Sequence, residues 1–200
     1  MPLTLAGMRT EFYARGFDYL SDGGPGLVRT NRWLNDAYHQ INEQYPWPYL
    51  EAVVAGVAPL TVTDLGEVVT VLTDGRVLAA RSQRELAIEY GDLAATTGTP
   101  NCYYVTGGNT INTYPGGGTV TVIYQRFAPD LVNDLDEPLV PDRFRPAIIE
   151  YAVATALRDD ESPSAQVARQ AGDEIVGLMR DWAAKLEPRV TYVPLVGDDC

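Results

Sequence analysis

Apolar residues near the beginning of the chain recur at intervals of three and four, the spacing of helices that bury one face. The first such stretch covers residues 5–15, with Thr4 as a plausible N-cap and Gly16 just beyond its end. The second covers residues 27–45, and Pro46 ends it because proline cannot continue a helix. These patterns predict two helices in the first fifty residues.

The pattern changes between residues 50 and 127 to short runs rich in Val, Thr and Tyr, separated by Gly, Pro, Asn and Asp. Three late runs, 102–105, 110–114 and 119–127, predict a three-stranded antiparallel meander in which Gly116-Gly117-Gly118 forms a hairpin turn. Ahead of them, Ser82 and Glu85 have the spacing of a capping box. One short helix is therefore expected within this β region.

Helical spacing returns after an acidic, proline-punctuated stretch at residues 130–141. It predicts two antiparallel helices within residues 143–186, joined near Ser162-Pro163, with Pro146 in the first turn and Trp182 in the core. The predicted fold class is α+β: a helical bundle with an inserted antiparallel β region and an extended C-terminal tail. The expected boundaries are 1–49 and 128–188 for the helical body, 50–127 for the β-rich insertion and 189–200 for the tail.

Composition and charge narrow the classes of function. The 200 residues are 46% hydrophobic, enough to bury a core, and no apolar run reaches the ~18 to 20 residues needed to cross a bilayer. The start of the chain lacks the regions of a signal peptide, and Cys102 and Cys200 form no disulfide framework, so we expect a soluble protein of a reducing cytoplasm. The net charge of −12 opposes a broad phosphate-binding surface.

Candidate chemistry is sparse. His39 is the only histidine, which excludes a pair of histidine metal ligands and a triad needing a second imidazole. The run 159–161 is acidic but lacks the alternating ligand spacing of a calcium loop, and Cys102 is expected to be a small buried side chain. Without a basic groove, the many Tyr and Trp residues are better explained as core and interface material than as a base-stacking platform. We therefore predict no catalytic residue, metal or cofactor.

Several short pieces of the sequence, in their order, resemble the head-to-tail adaptor proteins of tailed phages, also called head-completion or neck proteins. The pieces are Arg32-Trp33-Leu34-Asn35-Asp36-Ala37-Tyr38, Pro46-Trp47-Pro48-Tyr49-Leu50, Gly98-Thr99-Pro100 with Tyr103-Tyr104, Tyr114-Pro115, Asp134, Asp136 and Pro138 before Leu139-Val140-Pro141, Tyr151-Ala152, and Ala156-Leu157-Arg158-Asp159-Asp160. No single piece is specific. Their order and the helix, sheet, helix frame carry the resemblance.

The resemblance implies a structural virion protein that forms a ring, usually of twelve copies, beneath the portal of a bacteriophage head. In such proteins a helical bundle builds the ring, the β insertion lies toward the outside or the next neck or tail protein, and the C-terminal segment reaches the portal. DNA passes through the lumen without specific binding. The implied location is the virion neck, after assembly in the host cytoplasm and without a membrane.

Two sets of residues are predicted to make functional contacts. Apolar residues of the tail are expected to dock on the portal, and the alternative is that the tail folds back onto its own β insertion. These residues are Val190, Tyr192, Val193, Leu195 and Val196. Four carboxylates are candidates for a DNA-repelling wall of the ring lumen. They are Asp130, Asp134, Asp136 and Glu137.

Three other functions stay open at this point. The chain could be another neck or tail-completion protein of the same particle, a small cytoplasmic enzyme, or a regulatory DNA-binding protein. An acid or histidine cluster shared with relatives would favour the enzyme. Retention on DNA at low salt would favour the regulator.

Overall fold

The structure is a computed structural model that describes residues 3–21, 23–93 and 96–186. The described residues form five α-helices and eight strands in the predicted helix, sheet, helix order, so the α+β fold class is confirmed. The α-helices are α1 (Leu5–Phe12), α2 (Pro25–Glu43), α3 (Gln83–Tyr90), α4 (Pro146–Asp159) and α5 (Ala165–Leu186). The strands are β1 (Glu51–Val57), β2 (Leu60–Thr61), β3 (Leu65–Thr73), β4 (Arg76–Val77), β5 (Ala79–Ala80), β6 (Cys102–Thr106), β7 (Thr110–Tyr114) and β8 (Thr119–Arg126).

Helices α1, α3 and α4 begin at the capping residues and the proline that the sequence predicts. The Thr4 hydroxyl accepts a hydrogen bond from the backbone N–H of Gly7, and Ser82 and Glu85 form both bonds of a capping box at α3. Pro146 opens α4, where its missing N–H costs nothing. The first helix is shorter than predicted, because a π-helical turn follows it and Gly16 there has a φ of 102°. That conformation suits glycine and redirects the chain toward α2.

Helix α4 lies at the centre of the helical body. It packs against α2 on one side and α5 on the other, and α1 contacts both α2 and α4. Residues around most of its circumference are buried, from Ala147 to Ala156, as expected for a helix surrounded by others. The predicted antiparallel pair of helices is thus α4 and α5. Trp182 is the exception to the predicted core, since it is only partly buried and packs at the edge against Phe144.

The strands form two sheets, with orders β1-β8-β3-β4 and β2-β7-β6-β5. The predicted meander is therefore wrong: β6 pairs with β7, but β8 pairs with β1 and β3 in the other sheet. Gly117 and Gly118, with φ of 109° and 83°, carry the chain between the sheets rather than through a hairpin. The alternation of apolar and polar residues in β8 predicts which face of the strand is buried, the one with Val120 and Val122. It does not determine which strands pair with β8.

The inner faces of the two sheets share one apolar core, which includes Val71 and Val122 from one sheet and Ile111 from the other. Helix α3 covers the second sheet from its far side, where Leu86 packs against Cys102 and Tyr114. Burial raises the pKa of the Cys102 thiol, in keeping with the predicted inert, small side chain. None of the described helices has the length and apolar character needed to span a membrane.

Candidate protein interface

A long loop between β8 and α4, residues 127–145, lies across α1 and α2, and we call it the connecting loop. It has little regular structure, yet side chains of α2 hold its backbone at two points. The Asn35 amide both donates to the Leu131 carbonyl, at 3.0 Å, and accepts from the Leu131 N–H, at 2.7 Å. The Leu139 N–H donates to the Tyr38 hydroxyl at 3.0 Å. Burial raises the pKa of Tyr38, so this partner stays neutral.

Arg145 fastens the second half of the connecting loop to the start of α4. The residue is only 6% exposed, and its guanidinium donates to the carbonyls of Val140, Pro138 and Leu3 at 3.0 to 3.2 Å. It also forms ion pairs with Glu137 at 3.2 Å and Asp142 at 2.8 Å. A forked donor set of this kind suits arginine and no other side chain.

The first half of the connecting loop contains a tight turn closed by Asp136. Its carboxylate accepts hydrogen bonds from the N–H groups of Asn133 at 2.7 Å and Val132 at 2.8 Å. These bonds hold the pKa of Asp136 below its ordinary value of 3.8, because they favour the ionised form. The N–H of Leu5, in the first turn of α1, donates to the Asp136 carbonyl at 2.9 Å. The turn is thus fixed both internally and to α1.

The four carboxylates predicted to face the lumen all lie on this loop, and each has a local partner. Asp130 pairs with Nε2 of His39 at 2.6 Å, Asp134 pairs with Arg9, and Glu137 pairs with Arg145. Asp136 is bound to the backbone of its own turn. Arginines therefore pair with two of the four carboxylates, Asp134 and Glu137, and all four help to anchor the loop.

The sequence reasoning missed the apolar residues that project from this loop. Val132 is 72% exposed and Leu135 82% exposed, and both lie in the turn closed by Asp136. We call these two residues the loop tip. Their signal in the sequence was two large aliphatic residues within an acidic run, where a solvated loop would have polar ones. Exposed apolar side chains on a fixed backbone are typical of protein contacts.

The other predicted sites contain no further candidate contact among the described residues. All five apolar residues of the C-terminal tail, together with Cys200, lie outside the described residues. The acidic run 159–161 has a structural role, since the Asp159 carboxylate accepts a hydrogen bond from Nε1 of Trp33 at 3.2 Å. Within residues 3–21, 23–93 and 96–186, no cluster of His, Cys, Asp and Glu side chains could hold a metal ion.

The described residues thus combine a helical body, a β insertion and a loop tip of two exposed apolar side chains. The chain matches the family model of the SU10 adaptor protein over residues 10–194, and it therefore belongs to this family of phage head-tail adaptors. The resemblance drawn from the sequence is confirmed at the level of the family. No curated protein matches the chain.

Membership of this family makes the chain a phage adaptor protein, of a structural kind. Adaptors contact other proteins of the head and tail, which makes the chain a component of the virion. The SU10 adaptor match spans the helical body and the β insertion alike.

Proposed function

We propose that the protein forms a ring beneath the portal, joins the head to the tail and lets DNA pass through. The observation that carries this proposal is the family match over residues 10–194. The ring size, usually twelve in the proteins that the sequence resembles, is part of the proposal. The helical body, residues 1–49 and 128–188, would supply the ring, and the insertion, residues 50–127, would meet the next neck or tail protein.

The loop tip is our candidate for an intersubunit or interprotein contact. A backbone already held by Asn35, Tyr38 and Arg145 loses little conformational freedom on binding, so the apolar contact area adds more to affinity. Carboxylates surround Val132 and Leu135, and the matching surface would be an apolar socket with an arginine or lysine rim. This role competes with the lumen wall predicted for the same four carboxylates, which stays a prediction.

A complementation experiment tests the proposed function. A phage lacking this gene should fill its heads with DNA but release them without tails, and the supplied protein should restore joining. Electron microscopy of the protein with portal-bearing heads should place a ring at the portal vertex. Protein that copurifies with tails and never with heads would contradict the proposal and favour a tail-completion role.

A matched pair of variants tests the loop tip. Leu135→Asp should leave the melting temperature within about 1 °C of the parent, because the side chain is exposed, and should reduce head joining at least tenfold. Leu135→Met is the control, since it keeps an apolar side chain at the same exposed position. Equal joining by both variants would exclude the loop tip as a contact.

The lumen prediction has a separate test. Asp130→Asn and Asp134→Asn together remove two exposed charges from the loop, at the cost of their pairs with His39 and Arg9. A lumen wall predicts slower DNA ejection from assembled particles, with joining intact. A contact surface predicts weaker joining and normal ejection from the particles that do assemble.

A further inference from the structure

The sheet β1-β8-β3-β4 has an exposed outer face with an apolar centre. Side chains of β1 alternate between the two faces of the sheet, so Val53 and Val57 lie on the outer one, 63% and 66% exposed. Val53 lies opposite Ile123 of β8, which is partly exposed, and Val77 of β4 is on the same side. We call this surface the open face.

Two carboxylates and an amide lie in one row across an end of the open face. Glu51 pairs with Gln125 in β8, and Gln125 pairs with Glu67 in β3, so the carboxylates are two strand spacings apart, about 10 Å. Both carboxylates are exposed, and neither has an ion-pair partner within the described residues. Between them, Oε1 of Gln125 is buried and accepts no hydrogen bond from any described residue. The row lines a groove of about 610 Å³, with room for one positively charged side chain.

Helix α3 presents the complementary chemistry on the other side of the β insertion. Leu86 faces the second sheet, so Arg84 and Ile88, two residues before and after it, lie on the side of the helix away from that sheet. Ile88 is 77% exposed. Arg84 is also exposed, and it forms no ion pair in the part of the chain that the structure describes. We call these two residues the α3 ridge.

The spacing of the α3 ridge fits that of the open face. Residues four apart in a helix lie about 5 to 6 Å from each other, and residues two apart in a strand lie about 6.6 Å from each other. An arginine of the ridge between the two carboxylates would therefore place Ile88 over the next row of the open face, Val53 and Ile123. Because the ridge and the open face lie on opposite sides of one insertion, they can meet only between two copies.

We infer that the α3 ridge of one copy packs on the open face of a second copy, with Arg84 between Glu51 and Glu67. The contact is heterologous, since each copy offers its ridge to one neighbour and its open face to another. Such contacts close into a ring when the rotation between copies permits. The closing into a ring rests on the proposed function, whereas the contact itself does not.

Charge reversal tests the contact, with sedimentation velocity of the full chain as the measurement. Arg84→Glu, and separately Glu51→Arg combined with Glu67→Arg, should each weaken self-association at least tenfold, because like charges then face each other. An equimolar mixture of the two variants should associate about as tightly as the parent, since each variant then offers what the other binds. Circular dichroism checks that each variant is folded.

Arg76→Glu is the matched control. It changes the net charge by the same amount as Arg84→Glu, and Arg76 is exposed on the same insertion. Its strand partner is the buried Thr73, so it lies on the other side of the sheet from Val77. Self-association of Arg76→Glu should therefore equal that of the parent.

Three results would overturn the inference. The first is a parent that stays monomeric at about 1 mM, where even a weak contact populates pairs. The second is a mixture of the two variants that associates no better than either variant alone. The third is association only in a chain ending at Glu187, which would mean that the C-terminal tail covers the open face.

Head joining by the same variants is measured separately. Normal joining by variants that have lost self-association would refute this contact and leave the proposed function standing. Self-association of the parent without joining would refute the proposed function and leave the contact standing.

Discussion

The connecting loop depends on single side chains more than on regular structure. Arg145 is the clearest case, because one buried guanidinium serves three carbonyls and two carboxylates drawn from residues 3 to 142. Glu137 and Asp142 are partly or largely exposed, and their ion pairs with Arg145 are therefore screened by solvent. The buried carbonyl bonds are the larger part of what this residue contributes.

Replacing Arg145 by methionine keeps much of the volume and removes every donor. Buried carbonyls then lose their partners, and we expect the free energy of unfolding to fall by about 3 to 5 kcal/mol in chemical denaturation. Arg32→Met is the control, because Arg32 is exposed and pairs only with Asp36 one turn away. Its effect should stay below about 1 kcal/mol. A similar loss for both variants would refute the role given to Arg145.

Asp136 makes the turn of the loop tip sensitive to acid. Its pKa is lowered in the folded chain, so its stabilising contribution is complete above the ordinary value of 3.8 and is lost as the pH falls through the lower folded value. Asp136→Asn should be less stable than the parent at neutral pH, and the difference should shrink below pH 3.8. Thermal melts from pH 7 downward measure this. A constant difference across that range would contradict the prediction.

At the scale of elements, the packing of α5 on α4 depends on a close approach at one glycine. A Cβ placed on Gly172 would lie 2.5 Å from a ring carbon of Tyr151, whose hydroxyl in turn donates to Asp173. In contrast, a Cβ on Gly177 of the same helix would meet nothing within 4 Å. Alanine substitutions at these two positions therefore distinguish the effect of steric fit from the effect of helix propensity.

We expect Gly172→Ala to destabilise the protein by about 1 to 3 kcal/mol, because the ring must move or the helices must separate. Gly177→Ala should instead stabilise it by about 0.5 to 1 kcal/mol, the gain in helix propensity. Denaturant unfolding of the two variants gives both values. Stabilisation of similar size in both would show that α5 does not approach Tyr151 closely.

At the scale of the whole molecule, charge governs the relation to DNA. Each chain has a net charge of −12, and a ring of about twelve copies would carry on the order of a hundred negative charges. Local ion pairs reduce the field near the connecting loop without changing this sum. We expect duplex DNA to migrate unretarded in a gel with the protein at about 50 mM salt. Retardation that weakens as salt is added would contradict the prediction.

The sequence by itself determined the features that depend on neighbouring residues. Thr4, Ser82 and Pro146 mark helix starts through bonds or missing donors within one turn, and the structure has helices at each of them. The change from helical spacing to alternation likewise located the β region. The order of short motifs indicated the adaptor family, although none of them alone was specific.

Only the tertiary structure decided which distant residues meet. Alternation in β8 fixed its buried face, but pairing with β1 and β3 depended on how glycines 117 and 118 turn the chain. The sequence gives no partner for the acidic residues of the connecting loop, whereas in the structure Arg9 lies beside Asp134 and His39 beside Asp130. Contacts between segments far apart along the chain depend on how whole elements pack. The spacing of residues within one segment does not determine that packing.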